Sequence, residues 1–272
     1  MNKTHIFTTE LCGLRLGFQV DGKQLRETLR TRYRLFLAKR KPHYMIKVET
    51  TRPAADRQVQ PFRPTIKSNN KSFRFHRGDA QLLLMRKSRL GILRIWPNVY
   101  SFDAALRVIY AGLLAARRPS CLFLHAAAVA NSGKALVFPG KSGAGKTTLG
   151  RRLGRRTLGD ELIGIRRRRN GFDAFSTPFW GNGRKPSRRV SGRIMGLCFL
   201  GRKGTDAMRP LSAADAQREA LKCLLWFPGQ SDRDLARAWT VILDLVKKAP
   251  AYRFSFNKKT SLWPRLREVL GK

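Results

Sequence analysis

Residues 140–147 read Gly-Lys-Ser-Gly-Ala-Gly-Lys-Thr, which has the form G-x-x-x-x-G-K-S/T. An apolar run at 135–138 precedes this stretch and suits a buried strand, and residues 148–153 can continue as a helix. Strand, glycine loop and helix start are the context that a phosphate-binding loop, or P-loop, requires. The stretch therefore predicts an α/β fold with a nucleotide site at this loop.

The residue types explain how such a loop binds phosphate. Its glycines permit backbone angles and close approaches that a β-carbon forbids, so the loop amides and the helix N-terminus can form a concavity of N–H donors. Lys146 adds a positive charge for the β and γ phosphates, and Thr147 offers a hydroxyl oxygen to Mg²⁺. A glycine-rich turn matching by chance is the alternative, and the two correct flanks disfavour it. The expected nucleotide contacts are Gly140, Ser142, Gly143, Ala144, Gly145, Lys146, Thr147 and Thr148.

The charge balance is strongly basic. Among 272 residues, 56 Lys and Arg stand against 17 Asp and Glu, a formal net charge of +39. A field of that size attracts polyanions, such as nucleic acid, anionic lipid or an acidic protein. Because arginine pairs are spread over the whole chain, a solvated surface that merely reflects an arginine-rich composition is an equally good interpretation. Basicity alone does not identify a partner.

Several classes of protein are disfavoured. The four cysteines are widely spaced without a C-x-x-C pair, which argues against a zinc site or a disulfide framework and favours reduced thiols. The N-terminus lacks the pattern of a signal peptide, and no stretch approaches the length expected of a membrane span. We therefore expect a cytoplasmic protein. The cysteines are Cys12, Cys121, Cys198 and Cys223.

Pro119 follows a strong amphipathic helix and is the expected domain boundary. Residues 1–118 are predicted to form an N-terminal α/β accessory region, and residues 119–272 the P-loop domain. Within the accessory region Ser101 is the expected cap of a helix over 102–117. The other predicted elements there are a strand over 11–20, a loop over 52–70 and short strands over 72–77, 81–85 and 91–96.

Polar residues flank the P-loop along the chain. The apolar strand predicted for residues 121–130 contains one polar residue, His125, and turns directly into the P-loop strand. After the loop, Asp160 and Glu161 lie at the junction of two short predicted strands, where a metal ligand and a base could sit. A basic segment over 181–189 could clamp phosphate or an acidic peptide, or could be solvated charge. Its cations are Arg184, Lys185, Arg188 and Arg189.

The order His125, Lys146, Asp160-Glu161 resembles the HPr kinase/phosphorylase family, which shares a P-loop fold with phosphoenolpyruvate carboxykinase. Distant members of that family include kinases that phosphorylate serine in peptides such as lasso-peptide precursors. The resemblance extends over most of the chain, but only the P-loop is highly specific. The similar segments are residues 106–108, 124–129, 138–149, 158–162, 177–181 and 250–256.

The resemblance implies a mixed-sheet P-loop kinase core of the HPr kinase/PEP carboxykinase type that uses ATP and Mg²⁺. It implies that Lys146 and Thr147 hold nucleotide and metal, and that Asp160 binds Mg²⁺. Glu161 falls at the position of the general base, and His125 would lie near the transferred phosphoryl group. Two departures argue against HPr as the substrate: the second acid is Glu rather than Asp, and no segment like Glu-Ile-Arg-Gly-Leu-Gly is found.

The leading hypothesis is an ATP-dependent kinase for a Ser or Thr hydroxyl of a peptide or protein, with the basic surface gathering an acidic substrate. A small-molecule hydroxyl is an alternative acceptor. A nucleic-acid-binding P-loop protein and a non-catalytic nucleotide-binding scaffold are alternatives of other classes. In the simplest structural interpretation, His125 is a satisfied core residue and Asp160-Glu161 are solvated acids at a strand end.

Overall fold

The computed structural model describes residues 6–51, 64–180, 189–201, 207–257 and 261–270. The chain forms two units, each built of helices and a mixed β-sheet, so the protein is of the α/β class. The first unit contains residues 1–118 and 226–235, and the second contains residues 119–225 and 236–272. The chain leaves the first unit after residue 118, and it returns to that unit at residues 226–235.

A seven-stranded sheet forms the first unit, with strand order β1-β2-β3-β7-β6-β5-β4. The pairings β2–β3 and β3–β7 are parallel, and the other four are antiparallel. The strands are β1 Ile6–Leu11, β2 Leu14–Val20, β3 Tyr44–Thr50, β4 Thr65–Ser68, β5 Ser72–Arg77, β6 Ala80–Met85 and β7 Leu90–Ile95.

Two helices, α1 Lys23–Tyr33 and α2 Val99–Arg117, accompany this sheet. Alternate strand residues are buried, among them Ile46 and Val48 of β3, which is the pattern of a sheet covered on one face. Helix α2 approaches the sheet closely at Gly112, where an added β-carbon would lie 2.4 Å from the ring of Phe73. A side chain at residue 112 would therefore separate the helix from the sheet.

Helix α2 could cross a membrane by length and composition, contrary to the expectation that no stretch would. It has 19 residues and a mean hydropathy of 1.4 over its most apolar window, but 67% of that window is buried inside the protein. Burial of this kind is typical of a core helix, whose sequence is apolar on nearly all sides.

Three expectations for the first unit were wrong in detail. The strand expected over 11–20 is the end of a hairpin, because Cys12 and Gly13 have φ values of 50° and 81° and turn the chain between β1 and β2. Residues 65–68 of the expected loop form strand β4, while residues 52–63 lie outside the described part. Helix α2 starts earlier than expected, since the Asn98 side chain accepts from the Ser101 N–H.

The second unit has an eight-stranded sheet with the order β10-β8-β11-β12-β13-β15-β14, and β9 pairs with both β8 and β13. Strands β8, β11, β12, β13 and β9 therefore form a closed ring, because β9 pairs with the first and the fourth of the other strands. Only β9–β13 and β13–β15 are parallel. The strands are β8 Cys121–Asn131, β9 Lys134–Pro139, β10 Thr157–Gly159, β11 Leu162–Arg168, β12 Gly171–Phe175, β13 Ser191–Leu200, β14 Ala207–Pro210 and β15 Ala251–Ser255.

Strand β9, which leads into the P-loop, is buried on both faces. Ala135 and Val137 join one hydrophobic cluster, which includes residues of helices α4 and α5. Leu136 and Phe138 join another, which includes residues of helices α3 and α6. This double burial explains why β9 reads as a continuous apolar run. The helices are α3 Lys146–Leu153, α4 Ala213–Leu221, α5 Asp232–Lys248 and α6 Trp263–Leu270.

Candidate functional site

The P-loop connects the end of β9 to the start of α3, as its sequence predicts. Gly143 and Gly145 have φ values of 80° and 97°, in the left-handed region, and Gly145 is the N-cap of α3. At Gly143 no heavy atom lies within 4 Å of an added β-carbon, so the glycine is required for its backbone angle rather than for space. Ser142 is exposed, and Ala144, Thr147 and Thr148 are half-buried.

Lys146 is only 7% exposed. Its ammonium group donates to the carbonyl oxygens of Gly140 and Lys141, both at 2.7 Å, so the side chain lies over its own loop. Burial lowers the pKa of Lys146, while the neighbouring groups Glu161, Cys223 and Asp160 act in the opposite direction. Both predicted acids therefore interact electrostatically with the P-loop lysine, although they follow it by fourteen and fifteen residues.

Strand β8 holds His125 between the P-loop and the acids. The His125 carbonyl accepts from the N–H of Gly140 at 3.1 Å. His125 also pairs with Leu162 in the ladder between β8 and β11, and the N–H of the next residue, Ala126, donates to the carbonyl of Glu161 at 3.2 Å. Two consecutive residues of one strand thus bond through their backbones to the first P-loop glycine and to Glu161. The His125 side chain is half-buried.

Asp160 is 2% exposed and lies against helix α3. An added β-carbon at Gly150 would lie 3.3 Å from the β-carbon of Asp160. Because residues three apart share a helix face, Gly150 presents Asp160 to the side of α3 on which Thr147 lies. The hydroxyl of Thr157 also donates to the Gly150 carbonyl at 2.9 Å, which ties β10 to the same turn of the helix.

Glu161 is half-buried, one residue beyond Asp160. The two acids occupy the gap between β10 and β11, which pair with successive parts of β8. Thr177 supports the start of β11, since its hydroxyl donates to the Leu162 carbonyl at 2.6 Å. Glu161 is therefore the more accessible of the two acids, and it lies directly before β11, from where it interacts electrostatically with Lys146.

Cys223 was missed as a component of this site. It follows helix α4, its carbonyl accepts from the His125 N–H at 2.7 Å, and the next residue, Leu224, bridges to Leu124 of β8. Burial raises the pKa of the Cys223 thiol to about 11, although Lys146 acts to lower it. A neutral thiol thus lies near the lysine. The spacing of cysteines in the sequence carries no signal for this, because the contact depends on the return of the chain to β8.

The other basic residues around the fold are partly paired. Of the run at 166–169, Arg166 and Arg168 pair with Asp173, and Arg167 pairs with Asp244, so this run stabilises strands. Arg189 is exposed, whereas Arg184, Lys185 and Arg188 lie outside the described residues. Within the described ranges, no group of three or more His, Cys, Asp and Glu could hold a metal ion.

Comparison with known proteins gives a family. No curated protein matches the chain. A family described as "SynChlorMet cassette protein ScmC" matches residues 98–271, which begin at the N-cap of helix α2 and include the P-loop and the acidic pair. Since the match covers well over half of the sequence, the chain belongs to the ScmC family of SynChlorMet cassette proteins.

Proposed function

We propose that this protein is an ATP-dependent kinase that phosphorylates a Ser or Thr hydroxyl of a peptide or protein, in a fold of the HPr kinase/PEP carboxykinase type. The observation that carries the proposal is the double use of β8: residue 125 binds the first P-loop glycine, and residue 126 binds Glu161. In a phosphotransferase that acts on a hydroxyl, a carboxylate near the P-loop can take the proton of the acceptor.

The residues present fit a nucleotide with Mg²⁺. The left-handed angles of Gly143 and Gly145 leave a loop open to phosphate, and Asp160 is a buried carboxylate on the Thr147 side of α3. Thr147 and Asp160 would hold the ion, which suits Mg²⁺ because it usually keeps waters and substrate phosphates as its other ligands. Bound there, the ion would neutralise negative charge on the phosphates.

The chain's own residues divide the remaining work. The Lys146 ammonium offsets phosphate charge, and the loop amides orient the γ-phosphoryl group. The Glu161 carboxylate takes the proton from the acceptor hydroxyl. The hydroxyl oxygen then bonds to the γ-phosphorus, while the bond between that phosphorus and the leaving oxygen of ADP breaks. His125 is held at the loop by its backbone and would contact the transferred group. The family description speaks of a cassette, so peptides encoded beside the gene are the first acceptors to try.

The test uses γ-labelled ATP, Mg²⁺ and those peptides. We expect label on a Ser or Thr hydroxyl, and a rate at least about a hundredfold lower for Glu161→Gln, because a general base contributes 10²–10⁴. Nucleotide affinity should be retained in this variant, since Lys146 and the loop are unchanged. Glu219→Gln is the matched control, because Glu219 lies in α4 of the same unit and pairs with Lys222.

Three results would contradict the proposal. Peptide labelling that survives Glu161→Gln would remove the assigned base. Unlabelled peptides together with tight, salt-sensitive RNA retention would favour a nucleic-acid-binding P-loop protein. Label on a small hydroxyl metabolite, with none on peptide, would keep the phosphotransferase chemistry and change the acceptor.

A further inference from the structure

A second site lies in the first unit, where the three parallel strands β2, β3 and β7 begin. The first residues of β2 and β3, Leu14 and Tyr44, and the residue before β7, Arg89, line a cavity of about 170 Å³ with His43 and two residues at the end of α2, Arg117 and Arg118. That volume is several times the ~30 Å³ of one water molecule. Its lining combines the apolar side chain of Leu14 with the N–H donors of one histidine and three arginines.

His43 directs a donor toward the cations around it. Its Nδ1 accepts from the backbone N–H of Arg15 at 2.9 Å, so the neutral ring carries its hydrogen on Nε2. The Arg15 guanidinium, which can only donate, lies 3.2 Å from that same Nε2. Two donors that face each other cannot bond to each other. One acceptor oxygen beside them would satisfy both.

Arginines converge on this histidine. Burial and the charges of Arg15, Arg118 and Arg89 lower the pKa of His43, with Glu10 acting in the opposite direction. Glu10 pairs with Arg15 at 3.9 Å. Within the described residues, no Asp or Glu forms an ion pair with Arg89, Arg117 or Arg118. Among the described residues, the cations around this cavity are therefore largely uncompensated by acidic side chains.

Arg89 occupies a backbone position that favours glycine. Its φ is 60°, in the left-handed region, and its carbonyl accepts from the N–H of Met45 at 2.9 Å. A side chain at such an angle is uncommon and costs conformational energy. Glycine would form the tight turn between β6 and β7 more easily. The presence of arginine at residue 89 therefore indicates a role for its side chain.

The other two arginines could be explained by the helix they end. Arg117 and Arg118 close α2, whose last carbonyls carry about half a negative charge together. Arg118 donates to the Gly13 carbonyl at 3.3 Å, and Arg117 donates to the Tyr44 hydroxyl at 2.6 Å. Arg89, Arg117 and Arg118 are all exposed, so water screens their charges. What they offer an anion is a set of guanidinium N–H donors brought to one cavity.

We propose that this cavity binds a phosphate dianion, either free or as the phosphate of a phosphorylated side chain. The planar forks of arginine match phosphate oxygens in pairs, and His43 Nε2–H adds a neutral donor. A carboxylate would offer fewer oxygens to these donors. The site is independent of the P-loop and of the kinase proposal, because all of its residues belong to the first unit.

The test follows the His43 ring by NMR during addition of sodium phosphate, with sodium chloride keeping the ionic strength constant. The chain has only four histidines, so His43→Gln identifies the signals. We expect a saturable shift whose dissociation constant rises about tenfold in Arg89→Gln, as for loss of one charge-assisted hydrogen bond. Arg118→Gln serves as a second variant if Arg89→Gln disturbs the turn.

Arg74→Gln is the control, because Arg74 is exposed on β5 of the same sheet and its loss changes the net charge equally. Its dissociation constant should be unchanged, and Lys146→Met should leave the titration intact. A phosphoserine peptide and its serine counterpart distinguish the two phosphate sources. Equal shifts with both peptides would assign the site to free phosphate. An unsaturated shift with phosphate, an equal response to chloride, or equal weakening by Arg74→Gln would overturn the proposal.

Discussion

At the scale of single residues, Gly150 tests how Asp160 reaches the P-loop. An alanine there places a β-carbon 3.3 Å from that of Asp160, while it gains about 1 kcal/mol of helix propensity. We expect Gly150→Ala to keep or raise stability and to lower the proposed kinase activity, with a higher Mg²⁺ requirement. Activity against Mg²⁺ concentration is the measurement, and Arg155→Ala, an exposed change soon after α3, should behave as wild type. An unaltered Mg²⁺ dependence would contradict the assignment of Asp160 as a ligand of the metal.

Lys146 gives a prediction about pH. Because burial lowers its pKa in the folded state, the unfolded chain holds this proton more tightly, and stability rises as pH increases from the folded pKa toward the ordinary value of 10.5. Lys146→Met removes that term. The stability of Lys146→Met relative to wild type, measured by urea unfolding, should therefore be higher at about pH 7.5 than at about pH 10. A constant difference would contradict burial of the charge.

The sequence was informative about residues whose chemistry depends on neighbours along the chain. The left-handed glycines of the loop and the following helix were predicted from the motif alone. The position of Cys223 was not, because it depends on the return of the chain after α4 to pair with β8. The cavity around His43 also escaped detection, since its residues lie far apart and arginines are common everywhere in this chain.

At the scale of elements, β8 is the part that positions the site, and its alanines make that possible. Ala127 is fully buried with Leu149 and Leu153 of α3, so a larger side chain would push the helix away from the strand. We expect Ala127→Leu to destabilise the protein by about 1–3 kcal/mol and to weaken nucleotide binding. Thermal unfolding and a nucleotide titration measure both, with Asn131→Leu at the exposed strand end as the control. Unchanged binding would show that α3 does not depend on this contact.

Strands with clear alternation or double burial were predicted with nearly correct bounds, as for β5, β6 and β9. The failures have local causes. The hairpin of β1 and β2 turns at Cys12-Gly13, where cysteine is an unusual residue for a left-handed angle. Strand β4 is short and polar, and it forms because β5 supplies its partners. Pairing partners are properties of the fold rather than of the segment.

At the scale of the whole molecule, the charge of +39 predicts how a substrate is collected. Attraction between distant charges is screened beyond about 10 Å at 0.1 M salt. The KM for an acidic peptide should therefore rise between about 0.05 and 0.5 M salt, with kcat little changed. A neutral peptide with the same acceptor should show a weaker dependence. Equal dependence for both peptides would mean that the basic surface does not select the substrate.

Segment 226–235 has a consequence for how the gene can be divided. Gly229 has a φ of 87°, and an added β-carbon would lie 1.9 Å from the carbonyl oxygen of Ile66 in β4. A fragment starting at residue 119 would carry this segment without the strand it fits, and the family match starting at residue 98 would as well. The two units of this polypeptide are therefore interleaved in sequence, so a cut after residue 118 divides the first unit.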